Sequence, residues 1–326
     1  MSAQGESKVP ARRQLVTRPS RRADKVFFGL TSTAANFSIV LILLILGFLL
    51  YQAWPAFQSQ GFSFFVGQTW DSTAVPQIFQ IGPMLWGSVL VALLGMVIAL
   101  PLAISLAYFI EFMAAKKIAS VATVLVDLLA AIPSIVIGLW GFAVFGPVAQ
   151  HWASLLHDYL GWIPYVFYHE GNNYGGSPFI AGLVVSVMIV PIITSVTREI
   201  FSQMDRDVVN ASIALGAGRA ATFRKVILPT ASGGIVGGAL LGLGRALGET
   251  IAIFFVLNLV FHINFFQVIN GEGGTVASMI VSKFGEADAP ERSALMASGI
   301  VLFVLTLLIS ALSSYIVKKA QPWRNN

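Results

Sequence analysis

The chain has 326 residues, of which 56% are hydrophobic and 11% charged, and its formal net charge is +5. Soluble domains carry about 25% charged residues, so this composition excludes an ordinary water-surrounded globule and points to a chain enclosed largely by lipid. The absence of cysteine excludes a disulfide framework, a thiolate metal site and a cysteine nucleophile, and the scattered histidines give no basis for a histidine-rich metal site.

The first residues are polar and basic, and the apolar stretch that follows is too long for a signal-peptide core, so a retained span is expected rather than a secretory leader. A helix needs roughly 20 apolar residues to cross the hydrocarbon core. Six segments qualify: residues 28–51; 85–109, with Pro101; 121–148, with Asp127 and Pro133; 179–196, with Pro191; 231–260, with Arg245 and Glu249; and 295–317. The predicted fold class is an all-α membrane protein of six transmembrane helices, with a basic tail at 1–27, a spanning domain at 28–317 and a short tail at 318–326. Pro101, Pro133 and Pro191 are expected to kink their helices. Asp127 is expected to cap backbone groups freed near Pro133 or to pair with a basic loop residue.

The basic residues set the orientation, because Lys and Arg collect in loops on the inner side. Lys8, Arg12, Arg13, Arg18, Arg21, Arg22 and Lys25 precede the first segment. Lys116 and Lys117 follow the second, and Arg198, Arg206, Arg219, Arg224 and Lys225 follow the fourth. Lys318, Lys319 and Arg324 follow the sixth. Lys283 and Arg292 fall on the opposite side, and Arg245 falls inside a span. Both termini are therefore expected in the cytoplasm. Of the outer loops, the one after the third segment carries Trp162, Tyr165, Tyr168 and Tyr174, and the one after the fifth carries Glu272, Glu286, Asp288 and Glu291. The aromatic residues fit an interfacial belt or a docking surface for an external partner, and both readings stay open.

The strongest local signal is Leu241-Gly242-Leu243-Gly244-Arg245-Ala246-Leu247-Gly248-Glu249-Thr250. An arginine at the centre of a membrane helix costs about 2.5–3.5 kcal/mol to insert, and such residues face the bundle interior with a partner. Glu249, four residues on, would share its helix face, and Gly242, Gly244 and Gly248 would let a backbone or ligand approach closely. One reading is a buried ion pair that fixes helix packing. The other is a site on an anion pathway, where the guanidinium fork meets an oxyanion and Glu249 neutralises and orients the empty arginine. The glycines of this stretch do not make a phosphate-binding P-loop, because the spacing is one residue too long and Glu249 replaces the required lysine. Gly216-x-Gly218-x-x-Ala221 lacks the preceding strand of a dinucleotide fingerprint. No nucleotide site is expected on this chain.

The second signal lies in the inner loop 198–229. Asn210-Ala211-Ser212-Ile213-Ala214-Leu215-Gly216 is followed by nine residues and then Val226-Ile227-Leu228-Pro229. Small residues predict a short helix able to lie close against a partner, ended at Gly216, with Pro229 opening the next span; an ordinary interhelix loop is the plainer alternative. This spacing resembles the coupling motif of ABC importer permeases, in which Glu-Ala-Ala, three residues, Gly, nine residues and Ile-x-Leu-Pro form a short helix that docks into a cleft of an ATPase subunit. Together with Leu128-Leu129-Ala130-Ala131-Ile132-Pro133-Ser134-Ile135-Val136-x-Gly138 and the stretch 241–250, it is similar to the PstC family of phosphate permease subunits over nearly the whole chain. The resemblance implies the type I ABC importer permease fold and a non-enzymatic membrane-channel subunit in a bacterial cell membrane. It also implies a homologous second permease (PstA-like), an ATPase dimer that uses ATP (PstB-like), an extracytoplasmic phosphate-binding protein (PstS-like), and inorganic phosphate as cargo. ATPase coupling is then expected of Asp207, Asn210, Ala211, Ser212, Ala214, Gly216, Leu228 and Pro229, and the substrate pathway of Arg245 and Glu249. Asn210 stands where the family has glutamate, so the charged contact to the ATPase is expected from Asp207 or Asp205 instead. A permease for sulfate or molybdate, a stand-alone anion transporter and a membrane scaffold or sensor remain as alternatives.

Overall fold

The computed structural model describes residues 22–163, 166–168, 171 and 173–320. Lys8, Arg12, Arg13, Arg18, Arg21, Tyr165 and Arg324, and with them most of the two predicted tails, lie outside the described residues. The chain forms two units, residues 1–51 and 52–326. Described residues of the first unit belong to α1 (Arg22–Gln60). This helix begins within the predicted tail, and every residue from 24 to 45 is exposed, as a lipid-facing span requires.

In the second unit, the last turns of α1 lead to α2 (Ser63–Val66) and a short antiparallel pair, β1 (Trp70–Asp71) and β2 (Ile78–Phe79), registered Trp70 to Phe79. This hairpin is a small departure from the all-α expectation. There follow α3 (Gly82–Tyr108), α4 (Lys116–Ala131), α5 (Ser134–Trp140), α6 (Gly146–Leu160) and α7 (Pro178–Ser202). The rest comprises α8 (Arg206–Ala214), α9 (Arg219–Thr222), α10 (Leu228–Gly248), α11 (Ile251–Val256), α12 (Val276–Lys283) and α13 (Ala289–Ala320). Three π-helical turns join these helices, Phe109–Met113 after α3, Gly141–Phe145 before α6 and Phe223–Ile227 before α10.

Among the described residues, six helical runs are long and apolar enough to cross a membrane: Asp24–Gln60, Gly82–Met113, Ser134–Leu160, Pro178–Ser202, Arg219–Gly248 and Ala289–Tyr315. The number agrees with the sequence, but two spans are displaced. The third was expected as one kinked helix over 121–148. Instead the backbone is extended at Ile132 and Pro133, because proline disfavours helical geometry at the residue before it and supplies no N–H. The long apolar run begins after that break, and Asp127 lies before it on α4. Helices α3 and α7 continue through Pro101 and Pro191. The fifth span begins at Arg219, so Pro229 sits inside a helical run rather than opening it, and it ends at Gly248 rather than near residue 260. Three glycines at 242, 244 and 248 weaken the helix there, and Glu249 adopts an extended backbone before α11.

Helix α7 is central, with α3 and α10 packed against it. Ala92, Ala99, Ala103 and Ala107 make a fully buried small-residue stripe on α3. A Cβ on Gly95 would press Val185, and one on Gly182 would lie 2.7 Å from the Cβ of Leu94, so small residues set this close approach. On α10, Gly234, Gly238 and Gly242 meet Ile200, Val196 and Ile193 in the same way. Two further clusters close the ends of the bundle. One gathers Ala107, Phe201, Val209, Ile227, Ala231 and Ile235; the other gathers Leu90, Ala153, Tyr174, Val268 and Ile269.

Candidate functional site: an open arginine and a short exposed helix

Arg245 lies in the last turn of α10 and is exposed. It has no hydrogen bond or ion pair among the described residues. Glu249, expected as its partner one turn on, is only 7% exposed and accepts a long bond of 3.4 Å from the Ala252 N–H. The predicted ion pair is therefore not formed. The reason is the helix end: an i, i+4 pair needs continuous helix, and α10 stops at Gly248. What remains beside Arg245 is its favourable position at the carbonyl end of α10, where a cation complements the helix dipole.

The glycines around Arg245 divide by face. Gly242 packs against Ile193, whereas a Cβ added at Gly237, Gly244 or Gly248 would meet nothing within 4 Å. Leu241 is exposed on the same side. Helix α10 thus turns Gly234, Gly238 and Gly242 to α7 and leaves an open strip bearing one unpaired guanidinium. A strip of this kind can accept an anion, a second helix, or both. Asp127 is likewise exposed on α4 without a partner among the described residues, so neither the expected cap nor the expected pairing forms. Arg198 instead donates to the Thr123 hydroxyl.

The predicted short helix is present as α8. Asp205 is its N-cap, accepting from the Asp207 N–H at 2.9 Å, which satisfies one of the free donors of the first turn. It ends where the sequence places its stop. Gly216 has φ +86°, its N–H reaches the Ile213 carbonyl at 2.9 Å, and the Ala217 N–H reaches Ser212 at 3.1 Å, the two bonds of a Schellman cap. Asp207, Asn210, Ala211, Ile213, Ala214 and Leu215 are exposed, Leu215 at 89%. Ser212 and Leu228 turn inward. The Ser212 and Thr222 hydroxyls are 3.2 Å apart, and Leu228 packs with the cluster around Phe201 and Val209. Five apolar or uncharged side chains plus Asp207 therefore face outward from a helix anchored on its other side.

Sequence reasoning missed Glu111. It forms an ion pair with Arg206, the first residue of α8, and the Arg206 guanidinium lies 4.8 Å from the centre of the Phe112 ring. A lone acid directly after an apolar span was the available signal.

At the opposite end of the bundle, the Trp70 indole donates to Glu291 at 2.6 Å, Lys283 lies 3.8 Å from the same carboxylate, and Gln77 donates to Asp288 at 2.8 Å. Of the predicted aromatic surface, Trp162 and Tyr168 are exposed while Tyr174 is buried.

Residues 99–322 match the family described as "Binding-protein-dependent transport system inner membrane component". The chain is 36% identical to the phosphate transport system permease protein PstC 2 of Mycobacterium tuberculosis, over 90% of this chain and 91% of that protein. It is 35% identical to PstC of Haemophilus influenzae, over 91% and 94% respectively. Among solved structures, a bacterial alginate ABC transporter in complex with an alginate pentasaccharide-bound periplasmic protein superimposes with a TM-score of 0.61. That match has 15% identity and covers 92% of this chain and 98% of the other; it establishes the shared ABC permease fold.

Proposed function

Because the chain belongs to the PstC family of phosphate transport permeases, we propose that it is the membrane-channel subunit of an ATP-driven importer that moves inorganic phosphate into the cytoplasm past Arg245. The observation that carries this reading is the exposed, unpaired Arg245 on the open strip of α10. A charge in the last turn of an apolar span without an internal partner is open to one outside the chain, and a guanidinium suits a tetrahedral oxyanion through its planar fork. The open strip then lines a pathway completed by a homologous second permease. Glu249, turned away from Arg245, acts at the break between α10 and α11 rather than as the counter-ion of the empty arginine.

In this reading α8 docks on an ATPase subunit, one of a pair that hydrolyses ATP, while the permease itself is not an enzyme. Asp207 supplies the charged contact that Asn210 cannot, flanked by Ala211, Ala214 and the Gly216 stop. Ser212 and Leu228 support α8 from the membrane side, and Pro229 follows Leu228 in α10. The distribution of basic residues supports a cytoplasmic position for α8 and both termini. The end bearing Trp70, Lys283 and Glu291 then faces outward, where a phosphate-binding protein delivers the cargo.

The test is uptake of labelled phosphate in a strain lacking its own permease, with the partner subunits coexpressed and membrane abundance measured. The native chain is expected to restore uptake that excess sulfate does not compete, and Arg245→Gln is expected to abolish it at equal abundance. Competition by sulfate would overturn the substrate, and full activity of Arg245→Gln would overturn the pathway.

A further inference from the structure

We propose that Glu111, Arg206 and Phe112 form a clasp that stays closed through the transport cycle and makes α8 move as one body with the inner end of α3. They are positioning residues for transport. The proposal rests on the reading of this chain as an ATPase-coupled permease.

Helix α8 has nine residues, too few to hold its shape alone in water. A push delivered to its exposed face reaches the membrane spans only through its attachments. Two of these are local in sequence: Val209 is buried beside Phe201, and Ser212 meets Thr222. They tie α8 to α7 and α9, and the cluster around Val209 also takes in Ala107 of α3. The polar attachment to α3 is the ion pair between Arg206 and Glu111, which lie 95 residues apart in the chain. The Arg206 side chain is 50% exposed and that of Glu111 19%. Pairs this exposed add little to stability, about 0–1 kcal/mol, so holding the fold together is not a sufficient role for it. Its geometry is specific instead. The guanidinium lies over Phe112, next in sequence to Glu111, so one planar group is held by two consecutive residues. A lysine could keep the charge but not the stacked plane.

The backbone supports the same contact. Glu111 and Phe112 sit in the π-helical turn Phe109–Met113. In a regular α-helix each residue turns by about 100°, so the wider turn changes the direction in which both side chains leave the helix. π-Turns inside helices are frequent at functional sites. Phe112 continues the contact inward, edge-on to Phe201 at 5.7 Å and tilted against Tyr108 at 5.4 Å. Tyr108 in turn lies 4.5 Å from Phe223, the first residue of the π-turn that leads into α10. The clasp therefore connects α8 through an aromatic cluster to the ends of α3, α7 and α10, the last of which carries Arg245.

The experiment uses the assembled transporter in proteoliposomes, with phosphate uptake and ATP hydrolysis measured together. Glu111→Gln and Arg206→Gln are expected to lower phosphate moved per ATP by at least about fivefold, with ATPase copurification unchanged. The exchange Glu111→Arg with Arg206→Glu re-forms the ion pair without the guanidinium over Phe112 and is expected to restore part of it. In a second measurement, Glu111→Cys and Arg206→Cys are bridged by a short bis-thiosulfonate reagent, which has no competing target on this chain because it contains no cysteine, and the same treatment of the assembly with the native chain is the control. The bridged complex is expected to transport. The clasp is overturned if the single variants couple normally, or if uptake, hydrolysis and ATPase retention fall together without rescue by the exchange. It is also overturned if the bridge blocks uptake until it is reduced. Absence of ATP-dependent uptake by the native chain would remove the permease reading and the clasp together; normal native uptake with any of the other failures removes the clasp alone.

Discussion

Arg245 is left open because α10 ends at Gly248, one residue before Glu249. Their spacing suggests a shared helix face, and both residue types are unusual inside an apolar stretch. Their separation depends on where α10 ends, and three glycines in seven residues do not fix that point by themselves. The consequence is a guanidinium that is open rather than neutralised, and this sharpens what substitution should do. Arg245→Lys keeps the charge and loses the fork, so it should lower uptake by about tenfold or more at equal membrane abundance, given about 1.5–3 kcal/mol for a charge-assisted hydrogen bond. Uptake equal to that of the native chain would show that the cargo is met as a point charge. Glu111 was not legible for a different reason: its partner is 95 residues away, and no local pattern encodes such a contact.

Elements with local causes were legible. Helix α8 and its stop follow from small residues, an aspartate N-cap and Gly216, and all three are backbone chemistry within a few residues. Gly216 has φ +86° and open space around its Cβ position, so the cost of a side chain there is conformational rather than steric. Gly216→Val should cost about 1–2 kcal/mol locally and weaken ATPase copurification, while Gly216→Asn, which tolerates the left-handed region, should be close to native. Equal retention by both variants would show that the Schellman cap does not hold α8 in its docking shape. The packing glycines differ from this case. Gly182→Leu pushes a side chain into Leu94 at the closest approach of α3 and α7, and it should lower the amount of folded protein recovered in detergent. Gly244→Ala meets nothing within 4 Å and should leave recovery unchanged. A fall in uptake for Gly244→Ala at unchanged recovery would then report contact with the cargo or the second permease, which the isolated chain does not contain.

At the scale of the whole molecule, six spans were legible because hydrocarbon thickness sets a length that apolar runs must meet. The Pro133 break and the Gly248 end were less so, since a proline or a glycine cluster can bend a helix or stop it, and packing decides which. The end of the bundle bearing Trp70 and Asp288 was legible only as loops, yet it is held by specific polar bonds across long sequence distances. The Gln77 side-chain amide and then the Glu291 N–H hold the Asp288 carboxyl below its ordinary pKa of 3.8. The Thr73 hydroxyl and then the Thr73 N–H do the same for Asp71. A carboxyl whose folded pKa is lowered contributes its full stabilisation above the unfolded value and loses it as pH falls through the lowered folded value. The bonds of this hairpin should therefore be intact at neutral pH and weaken only as pH falls below the ordinary carboxyl value of 3.8. Backbone hydrogen exchange of residues 69–80, corrected for its intrinsic pH dependence, is the measurement. Protection should be constant from neutral pH down to the ordinary carboxyl value of 3.8 and fall only below it, and Asp288→Ala should lower it at neutral pH while flattening that acid loss. Loss of protection already well above the ordinary carboxyl value would mean that groups other than Asp71 and Asp288 keep this hairpin protected.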